Sequence, residues 1–164
     1  MVRAARGGRM SGKDYESFVS QLKKHEGEVR NKDGRHALYI CPAGYFTFGW
    51  GYNVQANGVS DAVAGLALRE SIEQAMSDVE AYLGAQEAYR LDPVRFYALA
   101  NMAFNLGGAG LNKFKNTRKL IIAALDNGDW DAVAKAILNS KYARQDVPNR
   151  AKEIAEQIRT GKWQ

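Results

Sequence analysis

Tyr15, Val19, Leu22 and Glu26 step along the chain by four, three and four residues, the spacing of one helix face. Three of them are apolar. The fourth is a carboxylate where the pattern asks for another hydrophobe, and Gly27 follows at once as a helix stop. An acid in that place feels desolvation and the negative end of a helix dipole, and both favour its protonated form. Held that way, a glutamic acid serves as a general acid near neutral pH. The plain alternative is a solvated Glu at a fraying helix end, and the helix by itself does not decide between the two.

The elements beyond Glu26 have to supply the rest of a site. Gly44 to Tyr52 reads GYFTFGWGY and alternates, with Phe46, Phe48, Trp50 and Tyr52 on one face and Tyr45, Thr47, Gly49 and Gly51 on the other. The first face is large and apolar and is expected to be buried. The second carries a hydroxyl beside two glycines, an unobstructed surface where a ligand can approach the backbone. Leu38-Tyr39-Ile40-Cys41, ahead of Pro42-Ala43-Gly44, reads as the partner strand of a hairpin. A helix ending in an acid, followed by a small sheet with a bare polar face, is one way to build the wall of a cleft.

Past the hairpin, Gly58-Val59-Ser60-Asp61 suits a turn and helix cap, and the chain reads as helical to its end. Leu68, Ile72, Met76, Val79 and Leu83 form a one-sided stripe on a helix of about fifteen residues. Pro93 fits a first-turn proline. Val94 to Leu106 is apolar nearly all round and predicts a helix through the middle of a larger lobe, stopped by Gly107-Gly108. Asn116 or Thr117 is the expected cap of the helix carrying Leu120, Ile121 and Leu125, and Asp129 that of the helix carrying Val133, Ile137 and Leu138. Pro148-Asn149 opens the last helix and Thr160-Gly161 closes it.

With 164 residues the chain is read as one domain, 46% hydrophobic and 25% charged, an ordinary soluble composition. A net charge of +5 favours anionic partners, among which nucleic acid, membrane surfaces and bacterial wall polymers all qualify. The single cysteine excludes an intramolecular disulfide, and His25 and His36 lack metal-ligand spacing, so no metal and no cofactor is expected. Residues 1–9 are basic without a following apolar run of signal-peptide length, and no stretch of about twenty apolar residues occurs. The expected product is cytosolic when made, and the first dozen residues read as a disordered basic tail.

The "HEG" at the end of the first helix and the "GYFTFGWGYN" after it resemble the phage-type lysozymes of glycoside hydrolase family 24. "ALANMAFNLGGAGLNKFKNT" and "GDWDAVAKAILNSKYARQDVPNRAKEIAEQIRTGKW" resemble the same family's C-terminal lobe, in the same order. The resemblance implies a two-lobed α+β lysozyme-like fold. Its N-terminal lobe (about 13–60) would hold a small β-sheet and the catalytic residues, and its C-terminal lobe (about 61–164) would be all-helical. In the family the Leu68–Leu83 helix joins the two. The implied activity is hydrolysis of the β-1,4 bond between N-acetylmuramic acid and N-acetylglucosamine in bacterial peptidoglycan.

Carried onto this chain, the resemblance makes Glu26 the catalytic acid. The family's second carboxylate, an aspartate six residues before a threonine, falls at Cys41, six before Thr47. A cysteine acts there as a thiolate if nearby cations favour it, or by positioning water as a thiol, or it is a small packing residue. Some family members have cysteine at this place. The segment between Glu26 and Cys41 is longer than in T-even phage lysozyme, and Asp33 within it is either a substitute carboxylate or part of an Asp-Gly turn. Tyr52 replaces a structural histidine. Asn53, Phe104, Asn105 and Thr117 match saccharide-binding positions, Ala136 stands where the family offers an asparagine, and Arg150 matches an arginine expected to pair with Glu26.

Expected partners are peptidoglycan and a holin-type protein that opens the membrane for export, with no nucleic acid, and the protein is expected to be a monomer. It would be made in the host cytoplasm and act on periplasmic peptidoglycan. The alternatives are a chitinase-like or bacteriocin-type glycan hydrolase, or a wall-binding module of the same fold that lost catalysis at Cys41.

Overall fold

A computed structural model describes residues 12–164. The basic tail read at the N-terminus lies outside the described residues, apart from Gly12, which opens the first helix. The architecture is α+β: a three-stranded antiparallel sheet near the N-terminus, with helices making up most of the remainder. The chain divides into two compact units after Val63.

In the first unit, α1 (Gly12–Glu26) ends at Gly27, whose φ of +66° is open to glycine, and whose N–H bonds back to the Lys23 carbonyl at 3.2 Å. A two-stranded turn follows. Arg30 bridges His36, and Asn31 Oδ1 accepts from the N–H groups of Asp33 and Arg35, both at 3.0 Å. Asp33 thus sits in an Asp-Gly turn. The sheet is β1 (Tyr39–Ile40), β2 (Phe46–Phe48) and β3 (Tyr52–Asn53) in sequence order, so the expected hairpin is present. A short helix α2 (Val54–Asn57) that the sequence did not announce is capped by Asn53 Oδ1, which accepts from the Ala56 N–H at 2.9 Å.

The alternation through this sheet is inverted in burial. Thr47 is 3% exposed and Gly49 is buried, whereas Phe46 is 48% exposed and Trp50 and Tyr52 are exposed too. The period of two fails because β2 is only three residues long and the chain turns through Gly49–Gly51, so Trp50 belongs to a turn and Tyr52 to the next strand. Thr47 lies at the centre of the middle strand, in register with Tyr39 on one side and Asn53 on the other, and these neighbours cover a small side chain. Tyr52, for which packing was the only expected role, also donates its hydroxyl to the Gly58 carbonyl at 2.8 Å.

The stripe on α1 also departs from expectation. No residue of α1 is buried, and Tyr15, Leu22 and Glu26 are exposed. All buried hydrophobic side chains of the described residues belong to the second unit, and large apolar side chains of the first, Leu38, Ile40 and Phe46 among them, are exposed instead of covering this face.

The second unit is a helical core. Ser60 Oγ caps α3 (Asp61–Leu83), whose 23 residues exceed the fifteen expected. Only the later part of its stripe, Val79 and Leu83, is buried, while Leu68 and Ile72 are exposed. A short α4 (Ala85–Tyr89) follows, then α5 (Pro93–Leu111), opened by Pro93 and capped by Asp92. Its Ala98, Leu99, Met102 and Ala103 are buried, and it breaks at Gly107 as expected. No side chain caps α6 (Lys115–Asn127). It starts at Lys115, ahead of the expected Asn116 or Thr117, so Thr117 falls inside the first turn and packs inward. Asp129 does cap α7 (Trp130–Leu138), accepting from the Ala132 N–H at 3.1 Å. One π-helical turn, Tyr142–Asp146, precedes α8 (Pro148–Thr160).

Arg95 of α5 ties the end of α8 down. Its Nε donates to the Ile158 carbonyl at 2.7 Å, its Nη1 to Asp92 at 2.6 Å, and its guanidinium lies 4.3 Å from the Trp130 ring centroid. Arg95→Ala removes these contacts and strands carbonyls at the helix end. The expected loss is about 2 kcal/mol, a Tm fall of roughly 8–16 °C for a unit of this size, readable by thermal melting.

Candidate active site

Glu26 is the last residue of α1, and its carboxylate is set against the turn between β2 and β3. A Cβ added at Gly51 would lie 2.8 Å from Glu26 Oε2, and Gly51 has a φ of +78°. Glycine is needed there twice over, for the backbone angle and for the space. Gly51→Ala therefore pushes the carboxylate out of place. We expect at least a tenfold loss of any activity that depends on Glu26, together with about 1–2 kcal/mol of backbone strain. Parallel rate and melting measurements separate the two, and a variant that melts earlier but keeps its rate would detach Glu26's position from function.

An open cleft of about 550 Å³ lies on one side of Glu26, with Cys41, Tyr45, Thr47 and Asn53 among its lining residues. Glu26, Cys41 and Thr47 therefore share one cavity. On the other side is a pocket of about 360 Å³ lined by Val19, Leu22, Lys23, Trp50 and Gly51. There the Lys23 ammonium rests 4.2 Å from the Trp50 ring centroid, and His36 meets the same indole edge-on at 4.5 Å. The exposure of Glu26 removes the desolvation that its apolar stripe was expected to supply, because the stripe itself is uncovered.

Cys41 is half-buried at the end of β1, where its N–H donates to the Tyr45 carbonyl at 3.0 Å. The Tyr45 backbone N–H, then the Thr47 hydroxyl, hold the Cys41 thiol below the usual thiol range, against the opposing effect of burial. Thr47 Oγ1 also donates to the Tyr45 carbonyl at 3.1 Å. A hydroxyl has one proton, so it faces the carbonyl beside a neutral thiol and turns to the sulfur when a thiolate forms. Both donors would serve a carboxylate in the same place.

Asn53 lines this cleft while its amide oxygen caps α2. Asp33, in its turn, is not among the lining residues. Glu28 is, and sequence reasoning missed it. The signal was present in the spacing: in the extended segment after Gly27, Glu28 and Arg30 fall on one side, and Arg30 makes a two-pronged pair with the Glu28 carboxylate at 2.8 and 2.7 Å. Arg30 holds the Glu28 carboxyl below the usual range, with His36 and Lys23 adding to the effect against partial burial. Among the described residues no three His, Cys, Asp or Glu side chains gather in a way that would hold a metal ion, and no helix is long and apolar enough to cross a membrane.

The remaining expected positions belong to the helical unit. Phe104 and Asn105 are exposed on α5, Ala136 is half-buried on α7, and Thr117, 4% exposed, offers a ligand the least surface of the saccharide set. Arg150, exposed in the first turn of α8, lines a groove of about 350 Å³ with Asn101, Phe104, Tyr97 and Trp163, the last two rings stacked at 6.1 Å.

A family model described as phage lysozyme matches residues 23–153. The chain is also similar to a curated relative, "Probable T4-type lysozyme 2" of Dictyostelium discoideum. The two are 28% identical over 139 residues, which cover 81% of this chain and 76% of the relative.

Proposed function

The chain belongs to the phage lysozyme family, and from that premise we propose that it is a muramidase, hydrolysing the β-1,4 bond between N-acetylmuramic acid and N-acetylglucosamine in peptidoglycan. The observation that carries this reading is the shared cleft: the Glu26 carboxylate, fitted against Gly51, faces a cavity also lined by Cys41 and Thr47. Glu26 gives its proton to the glycosidic oxygen as the bond to the anomeric carbon breaks. Water adds to that carbon, held by Thr47 and by Cys41 in the place of the family's aspartate. The water's surplus proton leaves to solvent, and Glu26 regains one from it. On the helical unit, Phe104 offers a sugar an aromatic face and Asn105 an amide. The net charge of +5 draws the protein to an anionic wall. In this reading it acts as a monomer and reaches the wall through a lesion made by a holin-type protein.

Release of reducing ends from purified peptidoglycan tests the reading directly, with a parallel sedimentation assay for wall binding. Cleavage with new muramic-acid reducing ends supports it. Binding without cleavage would establish instead the catalytically silent wall-binding module, and cleavage of chitin in place of peptidoglycan would establish the chitinase-like hydrolase.

A further inference from the structure

Glycoside cleavage through an oxocarbenium-like transition state generally uses two carboxyl groups, one to donate a proton and one that stays negative. This chain has a thiol where the family's second carboxylate stands, so a second carboxylate has to be sought at another position. Four carboxylates come near the question in sequence: Glu26, Glu28, Asp33 and Asp61. Asp33 is fixed in a turn outside the cleft, and Asp61 opens α3 away from it. Glu28 lines the same cavity as Glu26, Cys41 and Thr47.

We propose that Glu28 is the fixed negative carboxylate of this cleft, facing the developing positive charge on the sugar in the role the aspartate fills elsewhere in the family. The proposal rests on the muramidase reading. Its geometry is local: Gly27, with its positive φ, separates the two acids, Glu28 lines the cleft, and Arg30 grips its carboxylate through both oxygens. Glu28 lines the cleft and Arg30, which pairs with it, does not. The two-pronged pair uses one lone pair on each oxygen and leaves acceptor capacity on both. His36 Nδ1, 3.6 Å from Glu28 Oε2, and Lys23 are the other cationic or titratable groups facing it. Arg30, with His36 and Lys23 adding to it, holds the Glu28 carboxyl below its usual range.

The test uses the full chain on purified peptidoglycan. Glu28→Gln should lower kcat at least about tenfold with KM changed by less than about twofold, because a charge that acts in the transition state is removed and the shape is kept. In a Cys41→Asp background, where position 41 again supplies a carboxylate, the same substitution should cost less than about threefold. Glu28→Asp keeps the charge and should exceed Glu28→Gln by at least about threefold, which decides the matter even if Cys41→Asp fails to fold. Glu28→Gln retaining more than about a tenth of the rate, an equal loss in both backgrounds, or an Asp variant no better than Gln would each overturn the proposal. A wild type that cleaves no peptidoglycan would fail the muramidase reading itself, before Glu28 is reached.

Discussion

Glu26→Gln should abolish wall hydrolysis while leaving the fold in place. The glutamine amide fills the same space against Gly51, and Glu26 is exposed, so the substitution should change stability by no more than about 0.5 kcal/mol. The chemical loss is of another order. An amide has no proton to give a departing glycosidic oxygen, and losing such general-acid catalysis costs about 10²–10⁴-fold in rate. Matching thermal melts and a rate below about a hundredth of wild type are the expected pair of results. A variant keeping more than about a tenth of the rate would take the acid role from Glu26, whatever its position in the cleft.

The second large effect is expected at Cys41. Its surroundings, the Tyr45 N–H and the Thr47 hydroxyl, are donors that suit an anion. Cys41→Asp should therefore preserve activity, Cys41→Ser should reduce it, and Cys41→Ala should reduce it by about tenfold or more. A thiol-alkylating reagent should inactivate the wild type, with peptidoglycan fragments protecting. Because the same donors lower the thiol's pKa, the midpoint of the alkylation rate against pH should fall below that of a free cysteine measured alongside. A packing cysteine reverses the order: Ala and Ser would be tolerated, Asp would destabilise by burying a charge, and alkylation would be slow. Fully active Cys41→Ala enzyme would remove Cys41 from the chemistry and leave Glu28 to carry the second role alone.

Comparison of these residues with the sequence shows what local rules can carry. Helix ends were legible wherever a backbone angle or a cap demanded a residue type: Gly27 after α1, Pro93 and Asp129 at helix starts, and Gly161 after α8 all stand where expected. The hairpin was legible for the same reason, with Pro42-Ala43-Gly44 turning Tyr39–Ile40 back onto Phe46–Phe48. The family was legible from motifs in a fixed order along most of the chain.

Burial was legible only in part: α5 carries the buried side chains expected of it, but periodicity gives the faces of an element and is silent on which face finds a partner. Phe46 and Trp50 were expected inside and Thr47 outside, and the short central strand with its immediate turn reversed them. The stripe of α1 is one-sided as read, yet its own unit leaves it uncovered. Thr117 looked like a cap until α6 began two residues earlier and turned it inward. Glu28 is the clearest case. Its type and its spacing to Arg30 were visible from the start, but two acids separated by one glycine acquire a relation only when the chain bends. The positive φ of Gly27 and the packing of Gly51 against Glu26 are what bring both carboxylates to one cavity. Residue types and helix punctuation are fixed by chemistry within a few residues, and the sequence alone determined them. Which side chains share a cleft depends on backbone angles summed over the whole unit, and only the tertiary structure decided that.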